Sequence, residues 1–357
     1  MQIPCLKPFE LTPSHTQAWN AILRAVPTLA SPYFRPEYFT AVGAVCPRVE
    51  IAVLEQDGEA VGFLPFERGA WNVARPIGRQ MSDFQAAIVR PEVDWKVRDV
   101  LAACRLKAWE FDHLLAEQPE WRPHHARVRP SPFLDLSHGY DAYESERQQA
   151  GVKSLAQTWR KLKKLEREVG PVRFQWHDSS PAVREQLYAW KSEQYARTGQ
   201  ADLFSHAWPR QVLDQIALAA TDDFAGIVST LHVNDRLAAV HLGMRSTRVL
   251  HYWFPAYDRE LGKYSPGMIL LLKLAQAAAE RGMTRLDLGK GDEEYKQSLA
   301  SGNTLVAEGA VDSRPLSKSL RTGWRSARDW VKASALGESA KTPVRWMRRV
   351  RSWLVTR

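Results

Sequence analysis

Cysteine is scarce in this chain: Cys5, Cys46 and Cys104 are the only three among 357 residues. Their odd number and wide spacing match neither a disulfide framework nor a metal-ligand pattern. They read as buried apolar thiols of a reducing compartment, and no metal is expected. The N-terminal "MQIPCLKPFE" lacks a basic segment followed by an apolar one, so no leader is expected. Long apolar runs are missing too; the nearest, "MILLLKLAQAAA", is broken by Lys273. A cytoplasmic protein is expected.

Net charge is absent from most of the chain. Residues 316–357 hold eleven Lys/Arg and two acids, which accounts for the whole net charge of +9; the rest carries 38 of each sign. A neutral body with a basic tail says little about the body's ligand. In the tail, arginines alternate with Trp324, Trp330, Trp346 and Trp353. That mixture suits a peripheral contact with an anionic membrane face, or a helix packed back on the body. No DNA-reading motif is present, and no DNA partner is expected.

What is there is a chain with 45% apolar residues, enough for a large core. "VEIAVLEQ", a turn at Asp57-Gly58 and "EAVGFLPFE" predict a β-hairpin. The segment "DWKVRDVLAACRLKAWEFDHLLAEQ" has apolar residues near helical spacing and predicts a helix, and "SPFLDLS" a short strand. "SLAQTWRKLKKLEREVG" predicts a charged connector helix from Ser154 to Gly170, its basic face read as solvated. A second block then repeats the plan, with a strand at "VRFQWHD", two helices, and the hairpin "FAGIVSTLHV"–"RLAAVHLGMR". "RVLHYWFPAYD" follows as a strand, then a helix opening at Ser265-Pro266-Gly267 and stopping at Gly282, then the strand "TRLDLG". The two hairpins echo each other, an internal sign of duplication.

Three strings in order, "YWFPAYD", "KYSPGMILLLKLAQAAAERG" and "RLDLGKGDEEYKQSL", resemble the second domain of the CelD-like, polysaccharide-associated branch of the GNAT acyltransferases, which are related to FemAB-like tandem GNAT proteins. The resemblance spans roughly residues 30 to 312. It is strongest from Tyr188 to Val311 and weaker around "SDFQ", Ser82 to Gln85. It implies an α/β fold with mixed, largely antiparallel sheets. The expected division is residues 1–139 and 171–312 as two GNAT-like domains, 140–170 as a helical connector, and 313–357 as a basic helical tail.

The implied activity is transfer of an acyl group from acetyl-CoA or a longer acyl-CoA to an amine. The acceptor implied is a sugar-nucleotide, glycan or envelope-polysaccharide precursor. A diphosphate would lie at the helix start, since unpaired N–H groups and the dipole there favour anions. Arg259, Gly262, Ser265 and Gly267 are the residues implied for it. The superfamily loop ends in a small residue where this chain has Tyr264. Gly289 and Gly291 would let the backbone bend and approach the donor where two strands part, with Lys290 at the mouth of that gap. Asp287 or His251 would take the amine's proton, and Tyr295 would face the sulfur. Lys191, Gln194, Tyr195, Asp202, His241 and Lys296 would line the acceptor side. Direct attack is expected, because no serine or cysteine is set up as a nucleophile. Two rivals stand beside this reading: a non-catalytic GNAT-fold scaffold of a glycan-synthesis complex, and a FemAB-like transferase that uses aminoacyl-tRNA.

Overall fold

The computed structural model describes residues 1–291 and 293–312; the basic tail, with its expected membrane or packing role, lies outside the described residues. One mixed sheet organises the molecule. Its strands, in chain order, are β1 (Cys5–Leu6), β2 (Val49–Gln56), β3 (Glu59–Arg68), β4 (Val73–Arg75), β5 (Ile88–Val89), β6 (Ala108–Leu115), β7 (His125–Asp135), β8 (Val172–Gln175), β9 (Ala225–Val233), β10 (Arg236–Arg245), β11 (Val249–Tyr257), β12 (Arg285–Asp287) and β13 (Gly302–Asp312). Across the sheet they run β1-β2-β3-β4-β6-β13-β7-β12-β11-β10-β9-β8, with β5 beside β3.

Local chemistry explains much of this. Asp57 and Gly58 both take positive φ between β2 and β3, as a tight hairpin turn needs, and Asn234 does the same between β9 and β10. The helices are α1 (Pro13–Ala25), α2 (Pro36–Val45), α3 (Val97–Ala103), α4 (Tyr140–Gln149), α5 (Ser154–Glu168), α6 (Pro181–Thr198), α7 (Ala207–Leu218), α8 (Pro266–Glu280) and α9 (Glu294–Leu299). Several open on proline at their first position, where the missing N–H costs nothing. Among the described residues no helix is long and apolar enough to cross a membrane.

The segment around residues 94–118 departs from its sequence reading. Only Val97–Ala103 is helical; Arg105 takes φ 53°, and Ala108–Leu115 is a central strand. Its apolar run fits either period, and the partners that make it a strand, β4 and β13, are remote in sequence. Cys5 also differs from an apolar thiol: its S–H donates to Glu50 Oε2 at 3.1 Å, within a cluster that includes Arg68 and Lys7.

Two pairings join the halves of the chain. β7 lies antiparallel to β12, with Phe133 opposite Asp287. β13 inserts between β6 and β7. One face of the sheet buries Trp19, Tyr33, Phe63, Phe84, Leu213 and Trp253 beneath α1, α2, α6 and α7. The other buries Leu250, Tyr252, Leu271 and Leu286 under α8.

Candidate active site at the parting of two strands

β11 and β12 are parallel and pair only over Val249–Arg285, Leu250–Leu286 and His251–Asp287. β11 then continues to Tyr257, while the other chain leaves it: the Leu288 N–H donates to Pro132 O of β7 at 3.0 Å, and Gly289 turns at φ 71°. That bond and that turn open the gap between the two strands.

On one side of the gap His251 is fully buried, and its Nε2 lies 2.9 Å from Asp83 Oδ2. A carboxylate can only accept here, so Nε2 carries a proton, and in the neutral ring the lone pair lies on Nδ1. Among the described residues Nδ1 has no hydrogen-bond partner, nor does the hydroxyl of Tyr33. The rings of Tyr33 and His251 meet edge to face, 4.9 Å apart. Burial would raise the Asp83 carboxyl, but the His251 bond and the charges of His251, His113 and Lys296 outweigh it and hold it below the usual range. Burial, then the Asp83 charge, pushes the Tyr33 phenol well up. Gly289 is required: a Cβ there would sit 2.8 Å from Asp83 Oδ2.

Asp83 and Tyr33 come from the N-terminal half, so the sequence reading did not include them among its site residues. "SDFQ" was visible as a weak match, but nothing in it told that Asp83 meets a histidine 168 positions away.

Asp287 lies beside His251 and is 1% exposed, with Arg285 Nε 3.0 Å from its Oδ1. An open pocket of about 510 Å³ borders Arg285, lined in part also by Thr28, Arg122, Phe133 and Thr304. His241, also fully buried, has both ring nitrogens engaged. Nδ1 is 3.1 Å from Ser229 Oγ, and Nε2 accepts the Trp253 N–H at 3.2 Å. Burial, then the charge of His251, pushes His241 down to about 3, so it stays neutral. A register shift between Leu242 and Met244 makes this possible. At Gly243 a Cβ would fall 2.1 Å from His251 O.

On the other side of the sheet Tyr252 and Tyr295 pack in the α8 cluster. Burial, then Glu293, raises the Tyr295 phenol, which therefore keeps its proton at neutral pH. Arg259 and Lys263 are exposed on the turn Arg259–Tyr264, which precedes α8, and Gly262 has no neighbour that a Cβ would meet. Ser265, at φ 55°, ends that turn, and its Oγ lies 2.8 Å from Lys161 Nζ of α5. Gly267 lies against the Tyr257 ring, 3.3 Å from where a Cβ would be. Tyr264, the misfit of the loop, is turned inward, 2% exposed, and donates to Glu168 of α5 at 2.9 Å. Its bulk is used to dock the connector, not to fill the loop. The connector's basic face is therefore not wholly solvated: Lys161 stands at the α8 N-terminus, a position its helix pattern did not reveal.

The remaining site residues spread around the gap. Lys290 reaches to Asp112 O at 2.9 Å and Glu308 Oε1 at 3.1 Å, tying the Gly-Lys-Gly turn to β6 and β13. Lys296 is 8% exposed, and its Nζ lies 3.4 Å from Gly289 O. Lys191 of α6 is equally buried and donates to Gln194 Oε1 at 3.0 Å, above the Tyr195 ring. Burial, then Asp202, pushes Tyr195 up to about 12. Asp202 itself accepts the Phe204 N–H at 2.8 Å and caps a short turn.

Residues 153–297 match the family model described as an acetyltransferase (GNAT) domain. No curated protein matches. Among solved structures, FemX aligns at a TM-score of 0.53 and 11% identity, covering 89% of this chain and 99% of that one. The C-terminal domain of a putative lysylphosphatidylglycerol synthetase from Agrobacterium fabrum aligns at 0.52 and 12%, covering 86% and 94%. A tandem GNAT protein from the clavulanic acid biosynthesis pathway aligns at 0.50 and 10%, covering 88% and 99%. The chain folds as tandem GNAT-like proteins do, and the match to the GNAT domain model lies in its second half.

Proposed function

We propose that this protein transfers an acyl group from acyl-CoA to an amine at the parting of β11 and β12. The observation that carries this reading is the pair of buried polar atoms there that lack a hydrogen-bond partner among the described residues, His251 Nδ1 and the Tyr33 hydroxyl. A buried polar group without a partner is costly, on the order of 1–3 kcal/mol, and a reacting amine and carbonyl would supply the missing partners.

In this reading Asp83 is a positioning residue that fixes the His251 tautomer. His251 Nδ1 takes the proton from the amine as its nitrogen bonds to the thioester carbonyl carbon. The C–S bond breaks, and the leaving thiolate takes a proton from Tyr295. Asp287, held by Arg285, is better suited to orientation than to accepting a proton. The donor's diphosphate fits at the start of α8, where Lys161 and Ser265 meet at the positive end of the helix dipole. An acetyl group, a glycan-precursor acceptor and a cytoplasmic setting remain the choices proposed from the resemblance.

The test is incubation with acetyl-CoA and amino-sugar acceptors, following free thiol. Asp83→Asn and His251→Gln should lower kcat by about 10²–10⁴, the usual contribution of a positioned base, with donor KM little changed. Calorimetry that detects no CoA binding would instead favour the non-catalytic scaffold, and dependence on charged tRNA the aminoacyl reading.

A further inference from the structure

The end of the sheet from which the basic tail departs carries two aromatic side chains in water. β1 runs toward the start of β2, with Leu6 opposite Ile51, and β3 finishes beside that start, with Glu67 opposite Val49. β4 begins beside β6, with Val73 paired to Ala108, and Ala108 in turn faces Asp312 of β13. The turns that follow β1 and β3 therefore lie at one end of the sheet, and residues 313–357 leave from that end. Phe9 follows β1 and is 82% exposed; Trp71 joins β3 to β4 and is 80% exposed. They are the most exposed large apolar side chains among the described residues.

Trp71 is also strained. It and Asn72 both take φ 57°, a region that bulky side chains rarely enter. The turn is pinned there by the Gly69 N–H on Val73 O and the Lys107 N–H on Asn72 O, each at 2.8 Å. Glycine would take this conformation without strain. A tryptophan held in it, with its ring in water, lowers stability and gains little packing in return.

Charge at this end is sorted by depth. The side chains of Glu50 and Glu67 are 13% and 5% exposed, and they pair with Lys7 and Arg48, which are 33% and 47% exposed. In each pair the carboxylate is the deeper partner. Arg105 and Lys107, in the turn before β6, are exposed as well. Two carboxylates here are not deep: Glu10 accepts the Lys7 N–H, and Glu110 lies 3.8 Å from Arg75. Residues 316–357 then add the chain's whole net charge of +9 and four tryptophans.

We propose that this end of the sheet docks on an anionic lipid bilayer. The Trp71 and Phe9 rings enter the interface, while the outward cations and the tail meet the headgroups. Apolar insertion and charge act together, since either signal alone anchors a protein weakly. Single-stranded nucleic acid would instead want its aromatics along a basic groove, whereas these two rings stand on separate turns at the edge of the body. The proposal does not depend on acyl transfer.

The test sediments the whole chain with vesicles of phosphatidylcholine, alone or mixed equally with phosphatidylglycerol. The chain should bind the anionic vesicles, and less so as salt rises. Trp71→Gly should weaken that binding about tenfold, the effect of withdrawing one apolar ring, while Tm stays level or rises. Arg105→Glu combined with Lys107→Glu should also weaken it and flatten its salt dependence. In protein labelled with fluorotryptophan, the Trp71 resonance, assigned by its loss in Trp71→Phe, should broaden with vesicles that carry a paramagnetic headgroup. Absence of binding, or equal binding to both vesicles, overturns the proposal. So does binding that Trp71→Gly leaves unchanged, since the tail alone would then account for it. A Trp71→Gly variant that loses affinity for an RNA oligonucleotide but not for vesicles overturns it in favour of nucleic acid.

Discussion

Single residues carry the geometry of the site, and their costs can be measured. Gly289 turns at φ 71° with its α-carbon against Asp83. Gly289→Ala should destabilise the fold by about 1–3 kcal/mol in chemical denaturation, through the strained φ and the clash. It should also separate Asp83 from His251 and lower kcat. Lys191 gives an opposite signature. Its amine falls from 10.5 to about 8 on folding, so the folded state holds fewer protons than the unfolded chain between those values. Stability conferred at this position therefore rises as pH climbs from 8 to 10.5. Below pH 8 the buried charge costs on the order of 3 kcal/mol. Lys191→Met should accordingly stabilise the protein at pH 7, and the gain should fade by pH 10.5. A gain over wild type no larger at pH 7 than at pH 10.5 would contradict the burial argument.

At the scale of elements, strand ends and helix starts do the positioning. β12 is three residues long because Leu288 bonds to β7 and Gly289 turns away, and this brevity makes the gap. The bulge at Gly243 lets the His241 ring reach the Trp253 N–H. Gly243→Ala should loosen β10 against β11 and speed amide exchange at Trp253. In the N-terminal half a polar cluster ties β1 to β2 and β3. Burial pushes the Glu50 carboxyl up, but hydrogen bonds from Arg68, Cys5 and Lys7 outweigh it and hold it at about 2. A depressed carboxyl adds stability above its ordinary 4.5 and loses it as pH falls toward 2. Arg68→Met should therefore lower Tm at pH 6 and change it little near pH 2. Helix and hairpin existence was legible here, since Asp57-Gly58, Asn234 and the Pro266 start carry their own backbone chemistry. The Ala108–Leu115 strand was not, because its apolar run is neutral between periods until β13 and β4 pair with it.

For the whole molecule, the sheet is continuous from β1 to β8, and its middle is built by exchange. β13, the last described strand, completes the N-terminal half, and β7 supplies a partner to β12. Residues 171–312 alone would leave β13 without β6 and β7, and β12 without β7, exposing unpaired edges. That fragment is expected to aggregate, whereas the whole chain should melt in one cooperative transition. A soluble, folded 171–312 fragment would show that the two parts are separate domains after all.

By itself the sequence determined the elements with strong local signals, the likeness of its second half to GNAT domains, and the strand-to-helix turn around Gly289 and Gly291. These depend on neighbours in the chain, so a string of residues is enough to express them. Only the tertiary structure decided that Asp83 meets His251, that Lys161 reaches Ser265, and that Lys290 reaches the Asp112 carbonyl. Each of those contacts joins residues about a hundred or more positions apart. Such pairs are chosen by sheet order and burial, which act on the whole chain at once.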